Sequence, residues 1–167
     1  MFYSTTYKTP IGNSFLVSNE EYLVGIWFEG QKHYCPIKET IKTGQLTDVL
    51  RQTTEWLNQY FSGEQPDIST IQIKLHGTPF QQDVWEILCE IPYGEVMTYG
   101  EIAKIIAKKY NRKTMSAQAV GGAVGRNPIS ILVPCHRVVG ANGSMTGYAG
   151  GIEKKQWLLQ HESGKEG

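Results

Sequence analysis

One short stretch of this 167-residue chain concentrates reactive side chains: Ile131-Leu132-Val133-Pro134-Cys135-His136-Arg137-Val138-Val139-Gly140. A thiol beside an imidazole and a guanidinium is a pattern for nucleophilic chemistry, because the thiolate is the reactive form and nearby positive charge favours it. The apolar run before it predicts a strand that delivers Cys135. Adjacent side chains rarely face each other, so Cys135 and His136 need a tight turn or a bridging water to exchange a proton. A buried cysteine that only packs fits the same residues. Cys89 falls on the apolar face of a predicted helix and reads as packing. Cys35 and His33 offer two ligand-type side chains without a second pair, so no metal site is expected. Three cysteines, odd in number and unclustered, argue against a disulfide framework and leave at least one thiol free.

The elements that must position these groups divide the chain in two. Phe2 to Tyr7, Ser14 to Ser18 and Tyr22 to Phe28 are β-branched or aromatic runs separated by turn residues, as a small antiparallel meander requires. Gln45 to Phe61 carries Leu46, Val49, Leu50, Trp56, Leu57, Tyr60 and Phe61 at nearly helical spacing, an amphipathic helix for that sheet. Ile71-Gln72-Ile73-Lys74-Leu75 alternates like one more strand. From Thr78, which reads as an N-cap before Pro79, the pattern turns helical, with Phe80, Val84, Trp85, Leu88 and Cys89 on one face. Thr98 caps a second helix from Tyr99 to about Lys109. After the basic turn Lys108-Lys109-Tyr110-Asn111-Arg112-Lys113, Ser116 caps a third through about Gly125, a helix-turn-helix candidate. The expected architecture is therefore α/β of the α+β kind. An N-terminal domain over 1–75 has an antiparallel sheet and one main helix, and a mostly helical domain over 76–167 has a winged helix-turn-helix-like motif.

The third helix is rich in small residues, and two adjacent glycines cost roughly 1 kcal/mol each against alanine. Close approach of another backbone offsets such a cost, whether a neighbouring helix or a nucleic-acid strand. Charge adds a second hint. Up to Met97 there are 6 basic and 12 acidic residues, and from Thr98 onward 10 basic and 4 acidic, although the whole chain is neutral. A basic second part can meet a polyanion. With 40% hydrophobic and 19% charged residues the chain is an ordinary globular one, and disorder is excluded. No apolar run approaches the roughly 20 residues of a membrane span. The N-terminus lacks the basic and apolar regions of a secretory signal, so a cytoplasmic location is expected.

Pro134-Cys135-His136-Arg137-Val138, preceded by Gly125-Arg126-Asn127-Pro128-Ile129, closely resembles the O6-alkylguanine-DNA alkyltransferases, the methylated-DNA–protein-cysteine methyltransferase family. Gly77-Thr78-Pro79-Phe80-Gln81 with Val84-Trp85, Ile91-Pro92-Tyr93-Gly94, Thr98-Tyr99-Gly100-Glu101-Ile102-Ala103, Ala119-Val120-Gly121, Gly147-Tyr148-Ala149-Gly150-Gly151 and Trp157-Leu158-Leu159 follow in the family's order. The resemblance is dense from 77 to 162.

The resemblance implies a single-turnover repair protein whose Cys135 accepts the alkyl group of O6-alkylguanine irreversibly. His136 matches the histidine that takes the thiol proton through a water, Glu162 the glutamate that orients it, and Tyr99 the tyrosine that assists guanine departure. Asn127 matches the hinge asparagine before the active-site strand. The target base is flipped out of the duplex into a pocket bounded by Val138, Tyr148, Ala149 and Gly150. Ser116, Ala117, Gln118, Ala119, Gly121 and Arg126 belong to the helix that enters the minor groove of alkylated double-stranded DNA with little sequence specificity. A monomer acting without cofactor or metal is implied. Gln118 stands where many members carry arginine, and the glutamine brings no charge to the phosphates and reaches less far. Cys135 separates the chain from the alkyltransferase-like sensors, which have tryptophan there. A lesion-binding module that only recruits other factors, and a cysteine hydrolase using Cys135 and His136, are the competing readings.

Overall fold

The computed structural model describes residues 1–31, 34–145 and 147–164. The sheet begins as a meander of β1 (Phe2–Thr9), β2 (Gly12–Ser18) and β3 (Leu23–Phe28), antiparallel throughout. The first turn is closed by Thr9, whose hydroxyl donates to the Gly12 carbonyl at 2.6 Å and accepts from the Ile11 amide at 3.0 Å. The second is an Asn19 turn, in which the side-chain carbonyl accepts from the Glu21 and Tyr22 amides at 2.8 and 2.7 Å. A short β4 (Ile41–Thr43) adds in parallel to β1, giving the order β3-β2-β1-β4. All six residues of β3 are buried, which explains why Leu23-Val24-Gly25-Ile26-Trp27-Phe28 shows no polar alternation: both faces of the sheet are covered there.

One cover is α1 (Asp48–Phe61), which packs on the first three strands. It starts three residues later than Gln45 because the Thr47 hydroxyl accepts from the Leu50 amide and takes the N-cap. On the other face Val17, Val24 and Trp27 gather Phe2, Phe15, Ile37 and Ile41. Ile71 to Leu75 is not the full strand expected. It makes one parallel bridge, Ile73 to Leu23, with hydrogen bonds of 2.8 and 2.9 Å flanking it. Pro128–Ser130 bridges Ile26 in the same way. Two short segments thus pair with the open edge of β3, protecting it against association.

The chain divides into two compact units, Met1–His76 with Pro128–Ser130, and Gly77–Asn127 with Ile131–Gly167. The sequence assigns every residue from 76 onward to the second part. Pro128–Ser130 goes with the first because its backbone completes the edge of β3.

In the second unit, α2 (Pro79–Cys89) and α3 (Tyr99–Lys109) each start with a capping box, Thr78 with Gln81 and Thr98 with Glu101. Ser116 caps α4 (Ala117–Gly125). These three helices pack on one another, and the Trp85 indole donates to the Ala123 carbonyl at 2.8 Å, tying α2 to α4. β5 (Met97–Thr98) pairs in parallel with β6 (Val138–Val139). The chain closes with α5 (Ile152–Ser163), ended by Gly164 in the left-handed conformation. Among the described residues no helix is long and apolar enough to cross a membrane.

The strand expected before Cys135 is absent. Ile131 has φ 73°, in the left-handed region, and Pro134 offers no amide, so 131–134 turns instead of extending. Its apolar side chains are nonetheless buried. The Val133 carbonyl accepts from the Asn127 side chain and from the Cys135 amide, both at 2.8 Å, which replaces the missing ladder.

Candidate active site

The turn ends in a short 3-10 helix over Cys135–Arg137. Cys135 and His136 therefore sit in a tight turn rather than in an extended strand. Cys135 and His136 are both buried. Burial pushes the Cys135 thiol up to about 11, while a hydrogen bond with the Asn127 side chain, the positive charge of Lys155 and the amides of Cys135 and His136 pull the other way. Isolated, such a thiol is inert at neutral pH. A base and positive charge must act together to ionise it.

His136 is held from one side only. Its Nε2 lies 2.6 Å from Glu162 Oε2, and both side chains are almost fully enclosed. Glu162 is fixed in turn by Arg137, whose Nε donates to Oε1 at 2.7 Å and Nη2 to Oε2 at 3.0 Å. The remaining Nη1 donates to the Ile91 carbonyl at 2.7 Å, and the guanidinium lies 5.6 Å from the centre of the Tyr93 ring. Burial opposes ionisation of Glu162, but the hydrogen bonds of His136 and Arg137 and the charge of Arg137 override it and hold the carboxyl well below the usual carboxylate range. Burial pushes His136 down, so the imidazole is neutral at pH 7. A neutral ring that donates from Nε2 to a carboxylate leaves Nδ1 as an acceptor. Among the described residues Nδ1 has no hydrogen-bond partner.

Tyr99, at the first turn of α3, stands near Gly121, Gly147 and Lys155. A Cβ on Gly147 would lie 3.4 Å from its hydroxyl, and one on Gly121 would lie 3.8 Å from its ring. The ammonium of Lys155 lies 5.7 Å from the ring centre. Lys155 is fully buried, and burial lowers it to about 8, against the opposing influence of Cys135. Val138 and Tyr148 are buried, and Ala149 and Gly150 half-buried.

On α4 the division of faces is clear. Val120, Ala123 and Val124 are buried, whereas Ser116, Ala117, Gln118, Ala119 and Arg126 are exposed and Gly121 is half-buried. Internal packing does not require the glycines. A Cβ on Gly122 or Gly125 would meet nothing within 4 Å, and on Gly121 only ordinary contact. Contact with a neighbouring helix therefore does not account for Gly122 and Gly125.

Sequence reasoning missed Lys155 and the double anchoring by Arg137. A lysine two positions before Trp157 in a polar helix carries no sign of burial. Arg137 was visible only as a positive neighbour, because its partner lies 25 residues further on. Among the described residues no group of three or more His, Cys, Asp or Glu side chains could hold a metal ion. His33 lies outside the described residues.

Two family descriptions match the chain: the DNA binding domain of 6-O-methylguanine DNA methyltransferase over residues 79–164 and its ribonuclease-like domain over residues 2–75. The chain is similar to the methylated-DNA–protein-cysteine methyltransferase of Haemophilus influenzae, 42% identical over 96% of this chain and 86% of the relative. That of Methanosarcina acetivorans is 43% identical over 96% and 97%. Among solved structures, Mycobacterium tuberculosis OGT in complex with DNA superposes with a TM-score of 0.85 at 38% identity, covering 98% of this chain and 94% of that one. The O6-methylguanine-DNA methyltransferase of Pyrococcus kodakaraensis gives 0.63 at 27%, covering 97% and 99%.

Proposed function

Because the chain belongs to the 6-O-methylguanine DNA methyltransferase family, we propose that it repairs O6-alkylguanine in double-stranded DNA by moving the alkyl group onto its own Cys135. The observation that carries this reading is the buried chain from Arg137 through Glu162 to His136, which leaves one imidazole nitrogen as a proton acceptor beside a buried thiol.

Arg137 keeps Glu162 ionised. Glu162 fixes the tautomer and orientation of His136 and stabilises the imidazolium that forms when Nδ1 takes the thiol proton through a water. The Cys135 sulfur then attacks the alkyl carbon: the S–C bond forms, the C–O6 bond breaks, and the electron pair goes to guanine, which takes a proton from the Tyr99 hydroxyl. The thioether has no route back to thiol, so each molecule acts once. Asn127, bonded to both the thiol and the Val133 carbonyl, sets the position of the sulfur. Lys155 supplies the positive charge that a thiolate needs in this dry setting.

A thiol this enclosed cannot reach a base inside a duplex, so the base is rotated out into a pocket bounded by Val138, Tyr148, Ala149 and Gly150. Gly121 and the exposed Ser116, Ala117, Gln118, Ala119 and Arg126 form the face of α4 that approaches the minor groove, where small residues permit backbone contact. Few of these side chains can read base edges, so recognition is of the lesion rather than the sequence. The reading includes a monomer, a cytoplasmic site of action and a division of labour in which the first unit supports and the second reacts.

Incubation of the protein with a duplex carrying one O6-methylguanine tests the reading. Guanine is restored in amounts that never exceed the protein, at every DNA excess. Repeated turnover, or binding without restoration, contradicts it.

A further inference from the structure

The buried chain from Arg137 through Glu162 to His136 is closed on its outer side by the loop between α2 and β5. His136 and Glu162 are enclosed, with 0% and 1% of their side chains exposed, whereas Arg137 reaches solvent with 11%. The loop meets that outer end at three points. The Ile91 carbonyl accepts from Arg137 Nη1 at 2.7 Å, the Tyr93 ring centre lies 5.6 Å from the guanidinium carbon, and the Gly94 amide donates to Glu162 Oε1 at 3.4 Å. Each carboxylate oxygen thus has two donors: Arg137 Nε and Gly94 N on Oε1, Arg137 Nη2 and His136 Nε2 on Oε2.

The loop backbone is fixed where it makes these contacts. Ile91 is buried just past the end of α2, and its amide donates to the Leu88 carbonyl at 3.1 Å. The Pro92 carbonyl accepts from the Glu95 amide at 3.1 Å, closing a four-residue turn with Tyr93 and Gly94 at its centre. Gly94 takes a left-handed φ of 81°, and a Cβ there would lie 3.3 Å from the Glu162 carbonyl, tighter than an ordinary contact. Glycine lets the turn come up against α5, and the turn presents the Tyr93 ring to Arg137.

We propose that Tyr93 is a positioning residue for alkyl transfer, its ring covering the solvent side of the Arg137 guanidinium and keeping that side chain dry and directed at Glu162; this rests on the alkyl-transfer reading. An aromatic face suits the task. It attracts the cation without competing for the N–H groups that Arg137 gives to Glu162 and Ile91, and the attraction strengthens where water is excluded. The consequence falls on His136. The charged groups around it are Glu162 and Lys155 of α5 and Arg137 of its own turn, while α2 brings Cys89, with Glu86 and Glu90 beside it, within electrostatic reach of Arg137. Burial is the largest influence on the imidazole and lowers it; Glu162 raises it, and Arg137 and Lys155 lower it. Removing the ring admits water and loosens Arg137, which weakens two of the lowering influences, so His136 takes up a proton at a higher pH. Once protonated it no longer accepts from the thiol.

The test compares Tyr93→Leu, which fills much of the space without an aromatic face, and Tyr93→Phe, which keeps the ring, with the parent at a temperature at which all three are folded. Single-turnover methyl transfer from a duplex containing O6-methylguanine is followed across pH, and His136 is titrated by NMR in the DNA-free protein. In Tyr93→Leu the acid limb of the rate and the His136 midpoint both move up by about one pH unit. Tyr93→Phe tracks the parent in both. A Tyr93→Leu profile that superimposes on the parent's, a rate lowered by the same factor at every pH, or a Tyr93→Phe variant that shifts as far as Tyr93→Leu overturns the inference. Absence of methyl transfer by the parent overturns the alkyl-transfer reading. The His136 titration then still decides whether Tyr93 holds Arg137 on Glu162, and an unshifted midpoint in Tyr93→Leu overturns that as well.

Discussion

The cluster around Cys135 and the exposed face of α4 belong to the same unit and obey opposite rules. Around Cys135, His136 and Glu162 are enclosed, Glu162 is hydrogen-bonded to both His136 and Arg137, and the pKa values move away from their ordinary ranges. On α4 the side chains are small or polar and exposed, and a Cβ could be added at two of the glycines without meeting a neighbour. The first region spends stability on holding charges where water is scarce, which is where electrostatic stabilisation acts most strongly. The second forgoes helix propensity to keep a surface that another molecule can approach closely. If the proposed roles hold, chemistry and recognition are separated within one small domain, and substitutions in each region report on different observables.

The largest effect is expected at the centre of the dry region. Cys135→Ser abolishes transfer while DNA affinity stays nearly unchanged, because a hydroxyl is far harder to deprotonate than a thiol. Measurable transfer to the serine variant in a single-turnover assay would break the separation at its core.

Next is Arg137→Ala, which leaves Glu162 buried with its main counter-charge gone. A loss of about 3–5 kcal/mol in unfolding free energy is expected from denaturant titration. The pH dependence sharpens this. Glu162 is held below its unfolded value, so its contribution is complete above about pH 4.5 and is lost as the pH falls further. The parent therefore loses stability on acidification below that point, and the variant shows a shallower acid limb.

Glu162→Gln removes the negative charge that orients and stabilises His136 while nearly preserving shape. The transfer rate falls by about a hundredfold, and the apparent thiol pKa rises in a pH series. Equal rates across that series would remove Glu162 from the mechanism.

The smallest effect belongs to the wet region. Gln118→Arg adds one positive charge to an exposed helix face, steepening the salt dependence of duplex binding by about one unit and speeding repair. An unchanged slope in the folded variant means that α4 does not enter the groove.

The local signals of the two regions explain how far the sequence could be read. Thr78, Thr98 and Ser116 announced their helices because capping is encoded within four residues, and α3 and α4 begin at the expected positions. The meander was legible for the same reason. β4 was not, because Ile41-Lys42-Thr43 is too short to show a period and pairs only through a parallel contact with distant β1. The approach to Cys135 reads as a strand because an apolar run signals burial, and burial here is met by a turn whose hydrogen bonds come from Asn127 and backbone. For the site, Cys135 and His136 stood out as neighbours. Glu162 came only through family resemblance, and Lys155 not at all, since both reach the site from α5 across the fold.

The destination of the alkyl group is the most direct test. After incubation with duplex DNA containing O6-methylguanine, intact-protein mass spectrometry followed by peptide mapping should find one added methyl group per molecule, stable to prolonged incubation and located on Cys135. A methyl group on Cys35 or Cys89, an adduct that is released with time, or DNA binding with no adduct would contradict it.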